Sequence, residues 1–89
     1  MYRQKARNIA GPRIRLARAM HMPPLTQMDL AAQLEAKGDI PMSVNILSRV
    51  ENAERYITDV ELKAFSKALR VSMLWLLGET NDPAMTRMR

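Results

Sequence analysis

Apolar residues recur at helical spacing in five short stretches, each closed by proline, glycine or a polar cluster. The first eight residues, ending at Asn8, have no apolar period and are expected to form a flexible arm. Gly11-Pro12 opens the first helix, because proline is preorganised for a first turn and needs no donor there. This helix is expected to run to about Met20, with Ile14, Ala17 and either Leu16 or Met20 on its inner side. Met22-Pro23-Pro24 stops it. Thr26, with Asp29 three residues later, caps the second helix, whose inner face is Leu30, Ala31 and Leu34. Lys37-Gly38-Asp39-Ile40-Pro41 breaks that helix, and Ser43 caps the third, with Leu47 and Val50 as its inner edge. Thr58-Asp59-Val60-Glu61 is a capping box starting the fourth, followed by Leu62, Phe65, Ala68 and Leu69. After an Arg70-Val71 link, Ser72 caps Met73-Leu74-Trp75-Leu76-Leu77, which ends at Gly78. No period-two alternation is long enough for a strand, so the pattern predicts a compact all-α bundle of about five helices. Residues 1–8 are the expected arm, 9–78 the domain and 79–89 a flexible polar tail.

At 89 residues the chain is one small domain. With no cysteine and only one histidine, His21, it has neither a disulfide framework nor the ligands of a common zinc site. His21 is expected to be structural or merely exposed. No apolar run approaches the roughly 20 residues needed to span a bilayer, and no signal peptide is visible, so a cytoplasmic location is expected. The short tail after Gly78 favours a complete small protein over the fragment of a longer one.

The net charge of +5 is unevenly placed. Residues 1–28 carry Arg3, Lys5, Arg7, Arg13, Arg15 and Arg18 and no acid, whereas the remainder is close to neutral. A basic end on a neutral body suits a polyanion, either nucleic acid or an acidic membrane surface.

The third helix sharpens that choice. With Leu47 and Val50 facing the core, Val44, Asn45, Ser48 and Arg49 turn outward. The major groove admits one helix, and its base edges accept such groups: asparagine pairs with adenine, arginine with guanine, and valine meets a thymine methyl.

From residue 8 to residue 79 the chain resembles the lambda-repressor-like helix-turn-helix family, the Cro and phage-repressor type also called the XRE family. The matching pieces are Gly11-Pro12-Arg13-Ile14-Arg15 with Arg18, and Leu25-Thr26-Gln27 with Leu30-Ala31. They continue as Leu47-Ser48-Arg49-Val50-Glu51-Asn52 with Arg55, then Glu61-Leu62 and Lys67-Ala68-Leu69, then Val71-Ser72 and Trp75-Leu76-Leu77-Gly78. Each piece is weak alone; their order and spacing together carry the likeness.

The resemblance implies a helix-turn-helix at the second and third helices. It implies base reading by Val44, Asn45, Ser48 and Arg49, and backbone contacts from Thr26, Gln27, Ser43, Asn52 and Arg55. The arm residues Arg3, Lys5 and Arg7 would add phosphate contacts. It further implies an ion pair between Arg18 of helix one and Glu51 at the end of helix three, with Gln27 bracing the recognition helix. Two departures stand out. The connection containing residues 36–42 is about six residues longer than a usual tight turn, and Pro23-Pro24 lengthens the link before helix two. The longer connection leaves room for Met42 or Ser43 in the reading register.

Met28, Met42 and Met73 suit either an adaptable surface or gap filling in a small core, the latter being the expectation. Tyr56 is expected at the DNA-facing rim. Trp75 is either core or, with Met73 and Leu76, part of a dimer face, and partial exposure with a pairing role is expected. No arrangement of catalytic residues is apparent, and no cofactor is expected. The function expected is that of a sequence-specific double-stranded DNA-binding transcriptional regulator, a repressor of phage or bacterial type. It would act as a homodimer on a palindromic operator and would not engage a membrane. The alternatives are an antitoxin or anti-repressor that docks a protein through its last helix, and a non-specific polyanion binder driven by the basic arm.

Overall fold

A computed structural model describes residues 5–38 and 40–85. Among them there are five helices and no strand: α1 (Gly11–Met20), α2 (Gln27–Gly38), α3 (Val44–Glu51), α4 (Asp59–Leu69) and α5 (Met73–Leu76). Each start has a local cause. Thr26 Oγ1 accepts the Asp29 amide while Asp29 Oδ2 accepts that of Thr26, both at 3.0 Å. Thr58 and Glu61 repeat the exchange at α4, and the Ser43 and Ser72 hydroxyls cap α3 and α5. The ends are equally local. Arg70, at φ 60°, and Gly78, at φ 81°, turn the chain left-handed after α4 and beside the end of α5.

The caps leave an apolar stripe on each helix, and the stripes meet in one core. Ile14, Leu30, Leu34, Leu47, Val50, Phe65, Leu69 and Leu76 are completely or almost completely buried. α2 packs on α3 and α4, while α1 crosses α3, α4 and α5. Of the three methionines expected to fill core gaps, Met42 is buried in the core, whereas Met28 and Met73 are exposed. None of the described helices is long and apolar enough to cross a membrane.

Several expectations need correction. Leu16 and Met20 are both about half exposed, because Gly11, Ile14 and Ala17 complete the inner stripe of α1. α2 continues through Ala36 and Lys37 to Gly38, so the link to α3 starts three residues later than the sequence suggests. Nothing before Gly38 interrupts the hydrogen-bond ladder, and the Ile40 amide then returns to the Leu34 carbonyl to close the end. Trp75 is only 4% exposed and Leu76 is fully buried. The short α5 turns both inward, with the Arg13 guanidinium 4.7 Å from the centre of the Trp75 ring.

Both ends of the domain extend further than expected. The Arg13 Nη1 donates to the carbonyls of Trp75 and Thr80, both at 3.0 Å, and the Ser72 amide donates to Pro83. Residues 79–83 are therefore tied to the body. At the other end the Arg7 amide donates to the Ala53 carbonyl. Asn8 lies at the junction of three segments: its Oδ1 caps the Gly11 amide, and its Nδ2 donates to the carbonyls of Val50 and Arg55.

Candidate nucleic-acid interface

The outward face of α3 follows from what its inward face must do. Leu47 and Val50 are fully buried, so the helical period turns Val44, Asn45 and Arg49 to the surface, with Ser48 half-buried beside them. Asn45 and Arg49 stand one turn apart. Neither side chain makes a hydrogen bond or ion pair with another described residue. Their donors and acceptors are free for an external partner.

α3 is held in place from behind by Glu51, which is 2% exposed. Arg18 grips its carboxylate with both arms, Nε to Oε2 at 2.6 Å and Nη2 to Oε1 at 2.8 Å. Gln27 Nε2 donates to Oε1 at 3.0 Å, and Arg15 Nε lies 3.5 Å from the same oxygen. Burial pushes the Glu51 carboxyl up. The hydrogen bonds from Arg18 and Gln27 and the charges of Arg18 and Arg15 outweigh it, holding the carboxyl below the usual range. The group therefore stays anionic at neutral pH and bonds α1, α2 and α3 together. This is the pairing of Arg18 with Glu51, braced by Gln27, that the resemblance implies.

The expected backbone-contact residues fare differently. Gln27 opens α2, but its side chain is engaged with Glu51. The Thr26 and Ser43 hydroxyls accept amides of their own helices and keep a proton to donate. Asp29 stands at the same end of α2, its carboxyl held low by the Thr26 amide, so any phosphate there would meet a fixed negative charge. Asn52 is exposed just past α3, with Arg15 Nη2 donating to its Oδ1. Arg55 differs from expectation. Its guanidinium makes two bonds to Glu61, at 3.0 and 3.2 Å, which spans the capping box of α4 and fixes the turn after α3.

In the arm, Lys5 and Arg7 are exposed, and Arg7 lies 5.7 Å from the ring centre of Tyr56, itself exposed at the same rim. Arg3 lies outside the described residues. Of the expected dimer face only Met73 reaches the surface, since Trp75 and Leu76 belong to the core. His21 is half-buried with Nε2 3.1 Å from the Leu69 carbonyl, a structural position.

Three residues emerge that sequence reasoning passed over. Asn8 falls at the end of the expected arm, although an asparagine three residues before Gly11-Pro12 is a usable turn signal. Beyond the family likeness, Arg15 is expected only as charge and Glu61 only as a cap. Their partners lie 37 residues away for Arg15 and six for Glu61, and no motif announces either. No protein-family model matches the chain, and no curated protein matches it in sequence.

Proposed function

We propose that this protein is a sequence-specific double-stranded DNA-binding transcriptional regulator of the lambda-repressor-like helix-turn-helix kind, a repressor of phage or bacterial type. In this reading it is a binding protein and not an enzyme. α2 and α3 form the helix-turn-helix, and α3 enters the major groove. Asn45 offers a bidentate amide to a base edge, with Val44 and Ser48 beside it and Arg49 at the end of the face nearest the arm. The observation that carries the reading is the unengaged Asn45–Arg49 face on a helix whose opposite side is locked by Leu47, Val50 and Glu51. A reader helix needs that division, because base contacts specify only when the helix is held in one register. The exposed cations Lys5, Arg7 and Arg15 supply the sequence-independent attraction to phosphate. A single module makes few contacts, so the operator is proposed to be a palindrome bound by two copies.

Selection of bound duplexes from a random DNA pool at near-physiological salt tests this. The expected result is an enriched palindrome, with Asn45→Ala losing about 1–3 kcal/mol on it and relaxing one base position. Binding without enrichment would reduce the protein to a non-specific polyanion binder, and absence of binding would reject the reading.

A further inference from the structure

A polar hollow of about 510 Å³ lies between the arm and the end of α3, walled by Lys5, Ala6, Arg7, Arg49, Asn52, Ala53 and Glu54. The arm is not loosely placed beside it, because the Arg7 amide is bonded to the Ala53 carbonyl at 2.9 Å. A helix C-terminus ordinarily repels an anion through its open carbonyls. Here three of the last four carbonyls of α3 are engaged. The amides of Asn52, Ala53 and Glu54 return to Ser48, Val50 and Arg49, and Asn8 Nδ2 makes a second bond to Val50. The cations Lys5, Arg7 and Arg49 then dominate the hollow, with Glu54 as the acid in its wall.

Arg15 adds a directional element from behind. An arginine can only donate, so its bond to Asn52 requires the amide oxygen to face Arg15. The Asn52 NH₂ is left as the group to offer a ligand. Without Arg15 the amide could turn either way, and one of the two orientations would point an oxygen at an anion.

Resting on the DNA-binding reading above, we infer that this hollow binds one phosphodiester group of the nucleic-acid backbone. Lys5, Arg49 and the Asn52 NH₂ are its ligands, and Arg15 is the residue that orients the amide. Arg49 thereby moves from base reader to phosphate ligand.

The test uses the full chain, a selected duplex, a scrambled duplex and inorganic phosphate, with circular dichroism confirming that each variant is folded. Arg49→Ala is expected to weaken both duplexes by the same factor, unlike Asn45→Ala, which affects the selected duplex alone. Because Lys5 and Arg49 share one phosphate, the double variant should lower the slope of log affinity against log salt by about 0.9, not about 1.8. Arg15→Met should weaken the wild type severalfold yet have a much smaller effect in an Asn52→Ala background, since it acts through that amide. A loss at Arg49 confined to the selected duplex would overturn the site while leaving the DNA-binding reading intact. Independent effects of Arg15 and Asn52 would overturn the orienting role. Phosphate binding sensitive to Asn52→Ala, without binding to either duplex, would assign the hollow to a free anion and reject the nucleic-acid source. Binding of neither duplex nor phosphate would overturn both readings.

Discussion

Arg18→Met removes the main partner of a buried carboxylate. Glu51 has a fully buried side chain, and both its oxygens are bonded to Arg18. Breaking a buried pair on one side typically costs about 3–5 kcal/mol, because the remaining charge is stranded. Gln27 at 3.0 Å and Arg15 at 3.5 Å would stay with Glu51, which places the expected loss at the lower end, about 3 kcal/mol. A typical domain of this length has a total stability of about 4–13 kcal/mol, so the loss is a large share. It should appear as a fall in Tm of roughly 12–24 °C. Urea unfolding followed through the fluorescence of Trp75, the single tryptophan, reads it directly. Glu51→Leu alone should also be costly, since it leaves Arg18 part-buried without its acid. The double variant Arg18→Met/Glu51→Leu should lose clearly less than the sum of the two, because neither charge is then stranded. Single losses below about 1 kcal/mol, or strict additivity in the double variant, would refute the claim that this pair locks α1 to α3.

Three further outcomes are expected. Gly11→Ala sets two effects against each other: alanine gains about 0.5–1 kcal/mol of helix propensity, but its Cβ would lie 2.3 Å from the Val50 carbonyl oxygen. That contact is backbone on backbone and cannot be relieved by a rotamer, so overpacking should win by about 1–2 kcal/mol; a higher Tm would contradict the close approach of α1 and α3. Arg70→Gly should raise stability by about 1 kcal/mol, since the left-handed φ of 60° is strained for any side chain, and an unchanged or lower Tm would count against that conformation. Burial acts to raise the Glu51 and Glu61 carboxyls, yet the bonds from Arg18 and Gln27 to one, and from Arg55 and Thr58 to the other, hold both below their ordinary range. The folded state thus binds these protons less tightly than the unfolded chain, whose glutamates titrate near about 4.3. Their contribution is complete above that value and is lost as pH falls through the folded values. The urea midpoint should drop on acidification below about pH 4.5, and a midpoint that rises there would reverse the assigned direction.

The start and end of nearly every helix were legible in the sequence because their causes are local. Thr26 with Asp29, Ser43 with Ile46, and Thr58 with Glu61 are contacts three residues apart, so a cap can be read without knowing the fold. The inward stripe of Leu47 and Val50, and hence the outward Asn45 and Arg49, follow from helical period alone. The Arg18–Glu51 pair came from family resemblance and not from spacing. Its partners are 33 residues apart.

Tertiary structure decided what the chain does with the residues between and beyond those helices. A four-residue α5 has no usable period of its own, so whether Trp75 faced solvent or core depended on where α1 placed Arg13 and the core stripe. Asn8 and Arg15 read as an arm residue and a surface charge until α1 and α3 crossed closely enough at Gly11 to bring them to Val50 and Asn52. Arg55 looked free for a phosphate until the turn after α3 brought it to Glu61. In each case the deciding contact joins separate elements. Sequence determines the faces of a helix through bonds within a few residues, whereas the neighbour each face meets depends on how all the apolar stripes are buried at once.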